Sequence, residues 1–204
     1  MRIVEATYKI EHAPDPSWLL EHLERCGRTC YRSEGRIAPG TASKLVRKVL
    51  ERGHESVIEH ATITVRFVCD RGVSHELVRH RLASFSQEST RYVRYDGDDE
   101  GHEVAFVRPC FWQDGSHQMN RWLVAMQCAE AAYLNLLAMG AKPEEARSVL
   151  PNSLRTEIVV TANIREWRHI LKLRCSKAAH PQMREVMIPL RDELAAKYPE
   201  LFGT

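Results

Sequence analysis

Ile63, Val65, Phe67 and Cys69 alternate with Thr62, Thr64, Arg66 and Val68, the period-two rhythm of a strand that turns one face to a core. Thr156 to Ala162 has the same β-branched, apolar character, residues 1–10 read as a further strand, and Val104 to Val107 as a short one. Elsewhere the apolar positions recur at helical spacing. Asp15-Pro16 supplies an N-cap and a first-turn proline ahead of Leu19, Leu20, Leu23 and Cys26. Thr41 stands as the cap of a second helix, whose Ala42, Leu45, Val46, Val49 and Leu50 share a face before Gly53 ends it. Met119, Trp122, Met126, Ala129, Tyr133 and Leu137 predict a long helix over 117–139 closed by Gly140, and Pro143 opens a shorter one that Pro151 stops. Asn163 with Glu166 three residues on has the form of a capping box for a helix through Arg174. A last helix spans about 181–197, with Pro189 as a kink point.

Between these, Ser74 is placed to cap a short helix through Arg81, and the polar run Ser84 to Tyr92 reads as a loop that leads into a strand. Strands and helices do not alternate regularly, so the pattern predicts an α+β fold, an antiparallel sheet flanked by helices. The 204 residues carry no repeat, low-complexity tract or long linker, and residues 1–204 are read as one domain.

Charge and cysteine usage narrow the function. Twenty-nine Lys and Arg against 27 Asp and Glu leave a net +2, too little for a field that would hold a long nucleic acid. No stretch is long and apolar enough to cross a bilayer, acidic residues interrupt the first fifteen positions, and the expected location is cytoplasmic. Six scattered cysteines without a C-x-x-C pair are expected to be reduced thiols; Cys26 and Cys30, one turn apart, fit a helix face better than a metal or redox pair.

Two basic clusters hold the candidate chemistry. Arg79-His80-Arg81 and the following Ser84, Ser86, Gln87, Ser89, Thr90 and Arg91 make an inventory suited to oxyanions, although a solvated helix end with surface ion pairs has the same composition. The second, Asn163 to Arg174, is a helix whose capped N-terminus can receive an anion, with Arg165 adding charge and Arg174 beyond the other end; a capped amphipathic helix with a basic face is the plainer alternative. Two apparent zinc motifs fail on spacing. His75 and His80 are five apart, about 140° around a helix, and His54 and His60 are six apart, so no metal site is expected. Any nucleotide must be held by Arg, Ser and helix ends, because no Gly-rich phosphate loop is present.

Arg79-His80-Arg81, seven further residues and Ser89 resemble the signature of the flavin-dependent thymidylate synthases. His54-Glu55-Ser56 with Glu59-His60 upstream, then Ala146-Arg147, Val149-Leu150-Pro151, Asn163-x-Arg165 and Leu173-Arg174 downstream, resemble that family's other blocks in order, so the likeness covers nearly the whole chain. The resemblance implies the thymidylate synthase-complementing protein fold and reductive methylation of dUMP to dTMP. Methylenetetrahydrofolate would be the carbon donor, and FAD, reduced by NADPH, the hydride carrier. FAD contacts carry over to Ser56, Arg79, His80, Arg81, Asn163, Arg165 and His169. Nucleotide contacts carry over to Glu76, Arg79, Gln87, Ser89, Arg91, Arg147 and Arg174, and Arg174 matches the arginine that stabilises N3-deprotonated uracil. Glu76, Gln87 and His169 stand where some members have Gln, Glu and Asn. No enzyme cysteine is required, Ser89 is read as a substrate ligand, and the resemblance implies a homotetramer with sites shared between subunits. A nucleic-acid module and a histidine-based metal hydrolase are the rival classes; flavin colour separates both from the first reading.

Overall fold

The two segments with the cleanest alternation lie side by side at the centre of a sheet, and the rest of the chain is arranged around them. The computed structural model describes residues 1–97 and 102–203. In chain order the elements are β1 (Arg2–Val4), β2 (Thr7–His12), α1 (Pro16–Thr29), α2 (Thr41–Glu51), β3 (Thr62–Asp70), α3 (Arg71–Leu77) and β4 (Ala83–Gln87). They continue as β5 (Ala105–Val107), α4 (His117–Ala138), α5 (Pro143–Ala146), β6 (Arg155–Asn163), α6 (Ile164–Arg174), α7 (Pro181–Lys197) and α8 (Pro199–Phe202), with 3-10 turns at Glu55–His60 and Arg147–Val149 among them.

β2, β3, β6 and β4 form, in that order, an antiparallel sheet. Its register sets Ile63 against Ala162, Val65 against Val160, Phe67 against Ile158 and Cys69 against Thr156, so one face is continuously buried. α1, α6 and α7 supply Leu19, Leu23, Trp167, Ile170, Met183, Val186, Met187 and Leu190 to the core on that face. The opposite face is polar: Arg66 lies between Glu11 (2.6 Å) and Glu157 (3.1 Å), and Thr64 hydrogen-bonds Thr161 (2.9 Å). A second core forms where α4 lays Met119, Trp122, Met126, Tyr133 and Leu137 against Tyr95, Val104, Phe106 and Leu154.

Several local expectations are corrected. The N-terminal strand is two: Arg2–Val4 pairs in parallel with β5, adding a small parallel sheet to the antiparallel one, and only Thr7–His12 joins β3. Gly40, with φ 77°, precedes α2, and Thr41 turns its hydroxyl to the buried carboxylate of Glu24 (3.0 Å). Asp70 caps α3 in place of Ser74, accepting from Val73 N–H at 2.7 Å, and the helix ends at Leu77, four residues short of Arg81. Ala83–Gln87 is a strand, because β6 presents an unpaired edge whose backbone groups outweigh the polar character of the segment.

Candidate functional site

The β4–β6 pairing decides where the first basic cluster goes. Ala83 lies opposite Ala162, one residue before the cap of α6, and the preceding turn therefore delivers His80 to the start of that helix. Asn163 caps α6 by accepting from Glu166 N–H (2.8 Å). The carboxylate of Glu166 is directed at His80, with Oε1 3.4 Å from Nδ1. His80 and Glu166 are both buried, and His169 meets the His80 ring edge-on at 5.7 Å between centroids.

Arg174, at the other end of α6, closes the network. Its Nε–H donates to His80 Nε2 (3.0 Å), and its two terminal nitrogens donate to Glu76 Oε2 (2.5 Å) and to the Glu76 carbonyl (2.9 Å). Three of the five guanidinium N–H groups are thus engaged among the described residues, leaving one on each terminal nitrogen. His80, Glu166 and His169 also bring three ligating atoms within 4.8 Å of one another. The guanidinium on Nε2 puts positive charge beside them, which opposes a second cation and favours a hydrogen-bond relay.

Burial pushes the His80 imidazole down to about 4, and the Arg174 charge and the neighbouring His169 add to the effect. The ring is therefore neutral at ordinary pH. Between about 4 and the unfolded value near 6.5 the unfolded chain binds a proton that the folded chain does not, so this residue's contribution is complete above pH ~6.5 and declines as pH falls toward 4. The expected loss is on the order of 3 kcal/mol, read as the difference in melting between this protein and His80→Gln from pH 7 to 4. Parallel curves for the two proteins would show that the imidazole is not the group responsible.

A cleft of ≈ 900 Å³ opens along α6, lined by Asn163, Arg165, Arg168, His169 and Lys172 and, across from them, by Glu55 and Glu59. Arg165 pairs with Glu59 (2.6 Å) and Glu55 (3.4 Å) at its mouth. The Arg168 Nε atom is buried with no hydrogen-bond partner among the described residues. Ser56 is exposed on the turn that carries Glu55 and Glu59, and Arg79 and Arg81 are exposed on the turn that carries His80.

The remaining predicted residues form a separate group. Arg147 donates to Thr90 Oγ1 (3.1 Å), Ser89 Oγ accepts from Arg91 N–H (3.3 Å), and Arg91 lies 3.8 Å from Glu144. Gln87 points elsewhere, to Ser74 Oγ (2.9 Å) and Thr156 Oγ1 (3.3 Å). Glu88 anchors this loop: its carboxylate accepts from Tyr95 O–H (2.7 Å), Arg155 (2.6 Å) and Glu157 N–H (3.1 Å). Within the described residues, then, Glu76, His80, Asn163, Arg165, His169 and Arg174 come together around α6, while Ser89, Arg91 and Arg147 meet around Thr90. Glu166 and Arg168 had not been singled out as site residues. The only signal for Glu166 is its spacing from Asn163, which reads as a cap and says nothing of His80.

The family profile described as thymidylate synthase complementing protein matches residues 10–200. Among curated relatives, the flavin-dependent thymidylate synthase of Geobacter sulfurreducens is 34% identical over 202 residues, covering 95% of this chain and 83% of the relative. That of Mycobacterium sp. (strain JLS) is 37% identical, covering 89% and 78%. That of Thermococcus kodakarensis is 38% identical over 162 residues, covering 79% of this chain, which spans 65% of that relative's length. The crystal structure of a UMP/dUMP methylase, PolB from Streptomyces cacaoi, bound with 5-Br dUMP, shares the fold at a TM-score of 0.81 and 23% identity, covering 100% of this chain and 96% of that one.

Proposed function

Because the chain belongs to the thymidylate synthase complementing protein family, we propose that it is a flavin-dependent thymidylate synthase. It would convert dUMP, methylenetetrahydrofolate, NADPH and a proton into dTMP, tetrahydrofolate and NADP⁺. The observation that carries this reading is Arg174: a half-buried guanidinium, fixed on one side and with two N–H groups unengaged among the described residues, next in sequence to Cys175 and Ser176, which line a large cleft of mixed charge.

The residues present fit FAD. A cleft of ≈ 900 Å³ is near the top of the roughly 300–1,000 Å³ usual for cofactor sites. Lys172 and, on release from Glu55 and Glu59, Arg165 can meet the charge of a diphosphate, and the buried Arg168 Nε, 3.9 Å from Glu55 Oε1, makes no hydrogen bond among the described residues. Asn163, Arg165 and His169 would hold the cofactor from α6, with Ser56, Arg79, His80 and Arg81 the remaining assigned contacts. When bound and reduced, FAD supplies the hydride that completes the methyl group.

The protein's own contribution is alignment and electrostatics. Arg174 cannot act as a base, but its free N–H groups can stabilise negative charge on the uracil ring, which raises electron density at the carbon to be methylated. Glu76 and neutral His80 keep that fork from swinging. Ser89, Arg91 and Arg147 offer charge-assisted donors for the nucleotide phosphate, with Arg79 and Gln87 the other assigned contacts. Arg147 and Arg174 belong to different hydrogen-bond networks among the described residues, and the reading includes a homotetramer in which a second copy completes the site. The reading includes a cytoplasmic location; no helix among the described residues is long and apolar enough to cross a membrane.

Purified protein is expected to be yellow, with a flavin spectrum, and to form dTMP from dUMP only when methylenetetrahydrofolate and NADPH are both supplied. Folded protein that neither bound FAD nor oxidised NADPH in the presence of dUMP would end this reading.

A further inference from the structure

We propose that Glu166 is a positioning residue for Arg174, acting through His80: its carboxylate attracts the Nδ1–H and so keeps the Nε2 lone pair aimed at Arg174. The effect on turnover rests on the role given to Arg174 above; the geometry does not.

A guanidinium has donors and no acceptor, so the 3.0 Å contact between Arg174 Nε and His80 Nε2 requires a lone pair on Nε2. In a neutral imidazole the single proton must then be on Nδ1. Nδ1 faces Glu166 Oε1 at 3.4 Å, longer than an ordinary N–H···O bond but close enough, between two groups only 5% and 7% exposed, for the carboxylate charge to select that tautomer. The groups facing the ring are Glu166 and His169 from α6, Arg174 from the end of the same helix, and through Arg174 the carboxylate of Glu76 from α3.

Removing the acceptor at 166 leaves a buried Nδ1–H with nothing to hold its direction, so the ring is free to turn and its Nε2 lone pair leaves the line of the Arg174 Nε–H. Arg174 then keeps only its contacts to Glu76, both made by the terminal nitrogens, and loses the contact that fixes the plane of the fork. Depression of the His80 basicity supports the same picture, since a ring that stays neutral must choose one tautomer.

The test compares Glu166→Gln, which retains a carbonyl acceptor, with Glu166→Ala, which does not. The ¹⁵N resonances of His80 are read in the unloaded protein, and kcat and KM for dUMP in the FAD-loaded protein. In the parent protein and Glu166→Gln, Nδ1 is expected to be protonated and kcat to agree within about threefold. In Glu166→Ala the Nε2 resonance is expected to move toward that of a ring nitrogen that accepts no hydrogen bond, with kcat reduced roughly 10- to 100-fold while FAD is retained. A wild-type His80 protonated on Nε2 overturns the proposal whatever the variants do, and so does Glu166→Ala with the wild-type Nε2 resonance and a kcat within twofold. A parent protein that makes no dTMP yet carries the proton on Nδ1 would refute the function assigned to Arg174 and support the relay.

Discussion

Arg174→Ala is expected to retain FAD and fold normally while its rate of dTMP formation falls by roughly 10²–10³-fold, the range for deleting one preorganised donor at a site of developing charge. The reason is geometric. The three N–H groups bound to Glu76 and His80 fix the fork, and the two left over are the ones that would face the uracil. Arg174→Lys should recover little, because an ammonium cannot satisfy Glu76 and His80 together and still present a planar pair of donors. Asn163→Ala should divide the other way: losing the bond to Glu166 N–H costs about 1 kcal/mol of helix cap and weakens flavin retention more than the chemical step. Stopped-flow reduction of bound flavin by NADPH, measured beside dTMP formation, separates the two cases. Normal turnover in Arg174→Ala would remove the activation role assigned to this residue.

The largest expected loss of stability is at Trp167. The side chain is fully buried, its Nε1–H donates to the Ile63 carbonyl at 2.9 Å, and its ring packs on Phe67 with centroids 6.5 Å apart. One residue thus ties α6 to the central strand by both packing and a hydrogen bond. Trp167→Ala is expected to cost about 3–5 kcal/mol and to lower Tm by on the order of 10 °C. Trp167→Phe, which keeps most of the apolar volume but loses the bond to the Ile63 carbonyl, should cost about 1 kcal/mol. Calorimetric melts of the three proteins check the order; an alanine variant that melts within 2–3 °C of the parent would show that α6 is held by something else. Because Arg165, Glu166, His169 and Arg174 all ride on this helix, the site should loosen before the fold is lost.

The sheet's centre was legible because its information is local: the alternation along Thr62–Asp70 and Arg155–Asn163 puts every second residue in the core, and the structure pairs those two segments in register. Caps with an unambiguous residue were legible too, Asp15 and Asn163 among them. Ser84, Ser86 and Gln87 are polar and by themselves read as loop; what makes Ala83–Gln87 a strand is the open edge of β6, contributed by residues some seventy positions away. Asp70 displaced Ser74 as the cap of α3 for a similar reason: β3 ends there, and the carboxylate reaches Val73 N–H at 2.7 Å.

The order of polar and apolar residues determined by itself the α+β class and the central strands, since periodicity and capping chemistry are properties of neighbouring residues; its Arg, His, Asn and Ser blocks name candidates for a site without placing them. Only the tertiary structure decided which of those residues share a proton or an ion pair. His80 and Glu76 on one stretch and Glu166 and Arg174 on another are some ninety residues apart, a separation that carries no record of distance, and these contacts exist only because strand register and helix packing bring the groups within 2.5–3.4 Å.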